Sequence, residues 1–274
     1  MSIFHNPYVG KCDDAHYVRR MTLESLLADL QALRFEREEK TSEHEILLDY
    51  LELLAVAAGE KPAHLQGQGT RSRSFTRAVE AVAKAHGLHV TYTHPVPTHY
   101  HRPPNYDARF FEWERERERA SVKREGQVLW VYRDRELEPT IRAAAAGETD
   151  VAAVLGYPAC CVRENSELGI RMAEAVVRGY ETRYGARDVA DLIRLATDAA
   201  PVTIPPRDRP RFRHVFAYVQ FSPCRACAES PSSPAAEINW AMKRLATRLS
   251  PAFQRAIDRA ANAEAAARKQ RSRR

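Results

Sequence analysis

The sequence predicts an α+β fold dominated by helices, with a few short strands. Two observations carry this. Apolar residues recur at helical spacing along much of the 274-residue chain. Only three short runs, at 88–92, 128–132 and 214–221, have the β-branched and aromatic character of strands.

Taken in order, residues 1–20 read as irregular, punctuated by Asn6-Pro7 and Gly10. Leu26, Leu27, Leu30 and Leu33 line one face of a helix over 23–37. Ser42 and Glu45 have the spacing of a capping box, which starts a second helix running to about Gly59. That helix is apolar enough to lie in the core. Residues 59–70 read as a loop, 75–85 as a helix, 88–92 as a strand, and 94–104 as a proline- and histidine-rich loop. A charged helix is expected over 110–124. Val128-Leu-Trp-Val-Tyr132 is the strongest strand signal in the chain.

Beyond it, residues 138–156 give one or two short helices. Ala173, Val176, Val177, Tyr180 and Tyr184 form one helical stripe, and Val189, Leu192, Ile193 and Ala196 another. Pro201, Pro205, Pro206 and Pro210 enforce an extended connection. His214-Val-Phe-Ala-Tyr-Val-Gln-Phe221 reads as a strand leading to Cys224. Ser233-Pro234 is an N-cap and first-turn pair for a helix burying Ile238, Ala241, Met242, Leu245 and Leu249. Ser250-Pro251 starts the last helix. The expected organisation is an N-terminal helical region with short strands (1–147), a cysteine-motif domain (148–267) and a basic disordered tail (268–274).

The net charge of +6 invites a nucleic-acid reading, yet five of the positive residues fall at the end: Arg268, Lys269, Arg271, Arg273 and Arg274. The rest is close to neutral. The expected partners are therefore a small-molecule substrate, with nucleic acid as an option through the tail. No apolar stretch is long enough for a membrane span, and the first residues carry no basic segment followed by an apolar core. A cytoplasmic setting is the expectation.

The chemistry centres on cysteine. Five occur, and four form two doublets, Cys160-Cys161 and Cys224-Arg-Ala-Cys227. A CxxC lets two thiolates face one ion across a tight turn, which suits zinc or an iron–sulfur cluster. The vicinal pair adds two soft ligands after a Gly-Tyr-Pro turn, at the start of a helix whose dipole favours thiolate. Adjacent cysteines rarely point the same way, so whether Cys160 is a ligand stays open. The bland alternative, buried inert thiols, fits Cys161 better than Cys224 and Cys227, which stand among Pro223, Arg225 and Glu229.

Leu155-Gly-Tyr-Pro-Ala-Cys-Cys-Val162 and Phe221-Ser-Pro-Cys-Arg-Ala-Cys-Ala-Glu-Ser230 together resemble a prokaryotic family of uncharacterised proteins, domain of unknown function 483. Its signature is LGYPxCC followed by PCxxCxxS. The resemblance covers roughly residues 126–255. It marks Gly156, Pro158, Cys160, Cys161, Pro223, Cys224, Cys227 and Ser230 as signature positions, and implies no activity. A weaker similarity is to heterodisulfide-reductase-type cluster domains, which use a single cysteine, a vicinal pair and a CxxC. Here Cys12 precedes the two doublets, but the gaps are longer and Val162 stands where those domains have glycine.

Other residues compete for a role. His99 and His101, with His94 nearby, lie on one side of an extended segment and suit a metal or acid–base work. The plainer reading is a polar surface loop. Cys12 and His16 are helically spaced. His214 would serve as a general base if its strand ended at the cysteines. Gly67-Gln-Gly-Thr-Arg-Ser-Arg73 has the look of a phosphate cradle but lacks a P-loop lysine.

Three functions therefore stand open. The leading one is a bacterial metalloprotein, an enzyme with an iron–sulfur cluster (first choice) or zinc held by Cys160, Cys161, Cys224 and Cys227, acting on a small polar substrate. The catalytic candidates are His99, His101 and His214. The others are a zinc-stabilised module binding nucleic acid or protein, and a thiol–disulfide oxidoreductase.

Overall fold

The computed structural model describes residues 22–33, 42–66, 73–93, 127–146, 148–149, 151–198, 200–206 and 215–271. Within them the fold is helix-dominated α+β around a small antiparallel sheet. Cys12, His16, the glycine-rich segment through residue 72, the helix expected at 110–124, and His94, His99, His101 and His214 lie outside the described residues.

Helices α1 (Leu23–Ala32) and α2 (Glu43–Ala57) open the fold. The Ser42 capping box forms in full: the Glu45 N–H donates to Ser42 Oγ at 3.2 Å, and the Ser42 N–H to Glu45 Oε2 at 3.0 Å. Ser42→Ala is expected to cost about 1 kcal/mol, measured by urea unfolding.

Strands β1 (Ala63–Gln66) and β2 (His89–Thr93) flank β3 (Val128–Tyr132), and helix α3 (Arg73–Ala85) leads into β2. β1 falls in the segment expected to be a loop. Its four residues are too few and too polar to announce a strand, and pairing with β3 makes it one. β3 is buried on both faces, and its residues alternate between two cores. Leu129 and Val131 join a large cluster with α1, α2 and α3. Val128, Trp130 and Tyr132 join a second cluster with α4 (Glu138–Ala146) and α5 (Val151–Leu155).

The second half is built from α6 (Ala159–Tyr184), α7 (Val189–Thr197), α8 (Arg225–Glu229), α9 (Pro234–Leu249) and α10 (Pro251–Arg271). α6 and α7 share a cluster of Ala173, Val177, Tyr180, Leu192 and Leu195. A Cβ on Gly179 would sit 2.2 Å from Val202, so the close approach of the 200–206 segment requires glycine there. The largest cluster draws on both sides of residue 148: Tyr218, Met242, Leu245, Phe253 and Ile257 pack with α1 and α2. His44 adds polar ties, with Nε2 2.7 Å from the Ala217 carbonyl and Nδ1 2.9 Å from Glu264.

Two expectations change here. Residues 215–221 form a turn and irregular backbone, not a strand. The Tyr218 N–H donates to Asn239 Oδ1 at 3.0 Å, and the Ala217 carbonyl is engaged by His44. Side chains thus take groups that a neighbouring strand would need. Residues 268–271, expected in a disordered tail, continue α10, with Arg268 paired to Glu264. No described helix is long and apolar enough to cross a membrane.

Candidate metal centre

The four cysteines converge. Pro158 caps the long helix α6, which places Cys160 and Cys161 in its first turn. Pro223 leads into Cys224, the N-cap of α8, whose thiol accepts the Cys227 N–H at 3.4 Å. The ligand atoms of all four lie within 4.8 Å of one another. Cys160 Sγ is 3.5 Å from Cys227 Sγ, and the Cys224 N–H donates to Cys161 Sγ at 3.3 Å. Cys160, whose part in the set the sequence left open, therefore stands with the other three. Consecutive residues in a helical first turn stand about 100° apart, so both can flank a point just beyond the helix end.

Hydrogen bonds outside the thiols fix the two knuckles. The Asn165 side-chain amide donates to the carbonyls of Cys161 (2.8 Å) and Ser222 (2.6 Å), tying one doublet to the other. The Arg225 N–H reaches both oxygens of Glu164 at 3.1 and 3.0 Å. Ser233 donates to the Cys227 carbonyl at 2.8 Å while its oxygen accepts the Ala236 N–H and so caps α9. Cys161, Cys224, Cys227 and Ala235 are buried with Phe216 and Phe221 against them, whereas Cys160 is exposed.

Partial desolvation at the inner edge of Cys160, and full burial of Cys161, push both thiols up, and crowding by the other sulfurs adds to it. For Cys227 burial acts the same way. The Ala235 N–H and donation from the neighbouring thiols outweigh it and hold Cys227 below its ordinary value. Sulfurs crowded in this way are what a cation relieves, since metal binding releases thiol protons.

A second cluster was not anticipated. From Ile46 onward α2 carries only two charged residues, Asp49 and Glu52, and both are buried. Glu52 Oε2 lies 2.6 Å from Lys61 Nζ and 2.8 Å from His64 Nδ1. Gln220 donates to Asp49 at 2.6 Å. His64 and Gln66 alternate onto the α2-facing side of β1, where His64 Nε2 and both polar atoms of the Gln66 amide are buried with no hydrogen-bond partner among the described residues. Two acids inside an otherwise apolar helical run were the available signal.

Tyr157 links the two clusters. Lys61 Nζ stands 5.0 Å above its ring, and the ring packs on Phe221 with centroids 4.9 Å apart. A small cavity beside Tyr157 is lined by Glu52, Lys61, Tyr157, Tyr218, Phe221 and Met242, among others, with room for about one water.

Burial pushes the Glu52 carboxyl up, but Lys61 and His64 more than offset it and hold it at about 2, against an ordinary 4.5. The folded value is depressed, so the stabilisation is complete above about pH 4.5 and fades as the pH falls toward 2. Acid unfolding of wild type is expected to steepen in that window. In Glu52→Gln the steepening should be reduced, as read by circular dichroism.

Fold and site together define a helix-dominated α+β protein with a cluster of four thiols able to hold a metal ion. No protein-family model, curated protein or solved structure matches the chain.

Proposed function

We propose that Cys160, Cys161, Cys224 and Cys227 hold one zinc ion, and that this centre is structural, fixing the start of α6, α8 and α9 in a binding protein. The observation that carries the reading is the span of the thiols. With Zn–S bonds of about 2.3 Å, tetrahedral ligands stand about 3.8 Å apart, close to the 3.5 Å between Cys160 and Cys227 and within the 4.8 Å limit of the whole set. An iron–sulfur cluster, the first expectation from sequence, spreads its thiolates around several iron and sulfide atoms and needs a wider cage. Four protein ligands also leave no open position, the mark of a structural site.

The oxidoreductase reading is less well supported. Cys224, which would be the attacking thiol of the CxxC, is only 3% exposed, and a redox nucleophile needs access. A second reading, an enzyme, is favoured by one observation: the buried Glu52–His64 pair, with Lys61 beside it and His64 Nε2 unpartnered among the described residues. A carboxylate that orients an imidazole is an acid–base arrangement, and Tyr157 connects it to the cysteines. The reading extends to the family whose LGYPxCC and PCxxCxxS signature this chain resembles. Its test is elemental analysis of wild type and of a cysteine variant. One zinc per chain, lost in the variant, supports it, and iron with sulfide opposes it.

A further inference from the structure

The net positive charge of this chain is concentrated on its last two helices. Residues 234–271 hold eight lysines and arginines against three acids, so this part alone accounts for most of the +6 charge. The charge lies on ordered helix as well as at the chain end.

On α9 it surrounds an exposed aromatic. Trp240 is 53% exposed, although large apolar side chains in this fold are mostly buried. Lys243 Nζ stands 5.7 Å from the Trp240 ring centre and 5.8 Å from that of Tyr218. Arg244 is exposed one turn beyond Trp240, and Arg248 two turns beyond, with its side chain 63% exposed and its guanidinium 3.0 Å from Glu60. The steps of four place Trp240, Arg244 and Arg248 along one helix face.

We propose that this face binds single-stranded nucleic acid, with a base stacked on Trp240 and phosphates held by Lys243, Arg244 and Arg248. Unpaired bases offer a π-face to an indole, and phosphates supply the complementary charge. A duplex hides its base faces. A membrane surface is a poorer match, because an interfacial helix needs a broad apolar face. The exposed residues around Trp240 are Glu237, Arg244, Thr247 and Arg248. The inference deepens the binding-protein reading and rests on it through one contact: the Ala235 N–H acting on Cys227 anchors the first turn of α9 to the metal centre.

The test uses full-length, metal-loaded protein and fluorescein-labelled 20-mers of oligo-dT and oligo-U, followed by anisotropy, with zinc content and circular dichroism recorded for every variant. Binding is expected to fall roughly 20-fold between 50 and 200 mM salt for three phosphate contacts. Trp240→Ala should weaken it roughly tenfold at unchanged zinc content, and Arg244→Glu should weaken it and flatten the salt dependence. The dT and U arms report whether DNA or RNA is preferred. Equal affinity for Trp240→Ala and wild type overturns the proposal. So does equal binding of a duplex 20-mer, complete loss on deleting residues 268–274 alone, or equally tight binding of polyglutamate. Protein that purifies without metal, its four thiols reduced, and still binds would remove the metal reading and leave the surface standing. Zinc without binding would do the reverse.

Discussion

Cys227→Ser is expected to abolish stoichiometric metal binding and to melt the packing around the cysteines. Cys227 touches everything at the centre: Cys160 at 3.5 Å, Cys224 through its own N–H, Ser233 through its carbonyl, and Ala235 across the start of α9. The thiols are packed with one small residue, Ala235, and two half-buried phenylalanines. Apolar burial there is slight, and the ion must supply much of the cohesion. A structural zinc contributes on the order of 10 kcal/mol, comparable with the 5–15 kcal/mol net stability of a typical domain. Near-ultraviolet circular dichroism should lose the signals of the aromatic residues around the centre. Chelator treatment of wild type should produce the same spectrum, and added zinc should reverse it. Cys160→Ser, at the exposed edge, should weaken metal binding while disturbing the packing less.

Glu52→Leu is expected to be the most damaging single change away from the cysteines. It leaves Lys61 buried without the carboxylate 2.6 Å away and takes from His64 its Nδ1 partner. Breaking a buried ion pair from one side costs about 3–5 kcal/mol. Replacing Glu52, Lys61 and His64 together with Leu, Met and Leu removes the ion pair whole and leaves Asp49 with its Gln220 partner, and such wholesale replacements are often neutral or stabilising. Equilibrium unfolding of the single and triple variants separates the cases. A triple variant as stable as wild type marks the cluster as retained for something other than stability, which strengthens the acid–base reading. A triple variant as damaged as the single one would make the cluster part of the scaffold.

Much of this was legible in the sequence where local signals are strong. The Ser42–Glu45 spacing fixed the start of α2, Ser233-Pro234 the start of α9, and the β-branched and aromatic run the central strand β3. The two cysteine doublets announced themselves by residue type and spacing, and the structure brings all four together. What failed depends on tertiary contact. β1 is a strand because β3 is beside it. Residues 215–221 look like a strand, but Asn239 and His44 take their backbone groups. The buried ion cluster joins residues of α2 and β1 through contacts that no motif records, and Gln220 reaches Asp49 from 171 positions away. Trp240 could not be separated from a core aromatic by periodicity, because exposure is a property of the assembled surface.

The most direct test of the central claim is the metal itself. Protein purified anaerobically without added metal should be colourless, contain one zinc per chain and no acid-labile sulfide, and exchange zinc for cobalt to give the intense thiolate-to-cobalt absorption of a tetrahedral four-sulfur site. A brown protein carrying iron and sulfide, or a chain that holds no metal with all four thiols reduced, would contradict it.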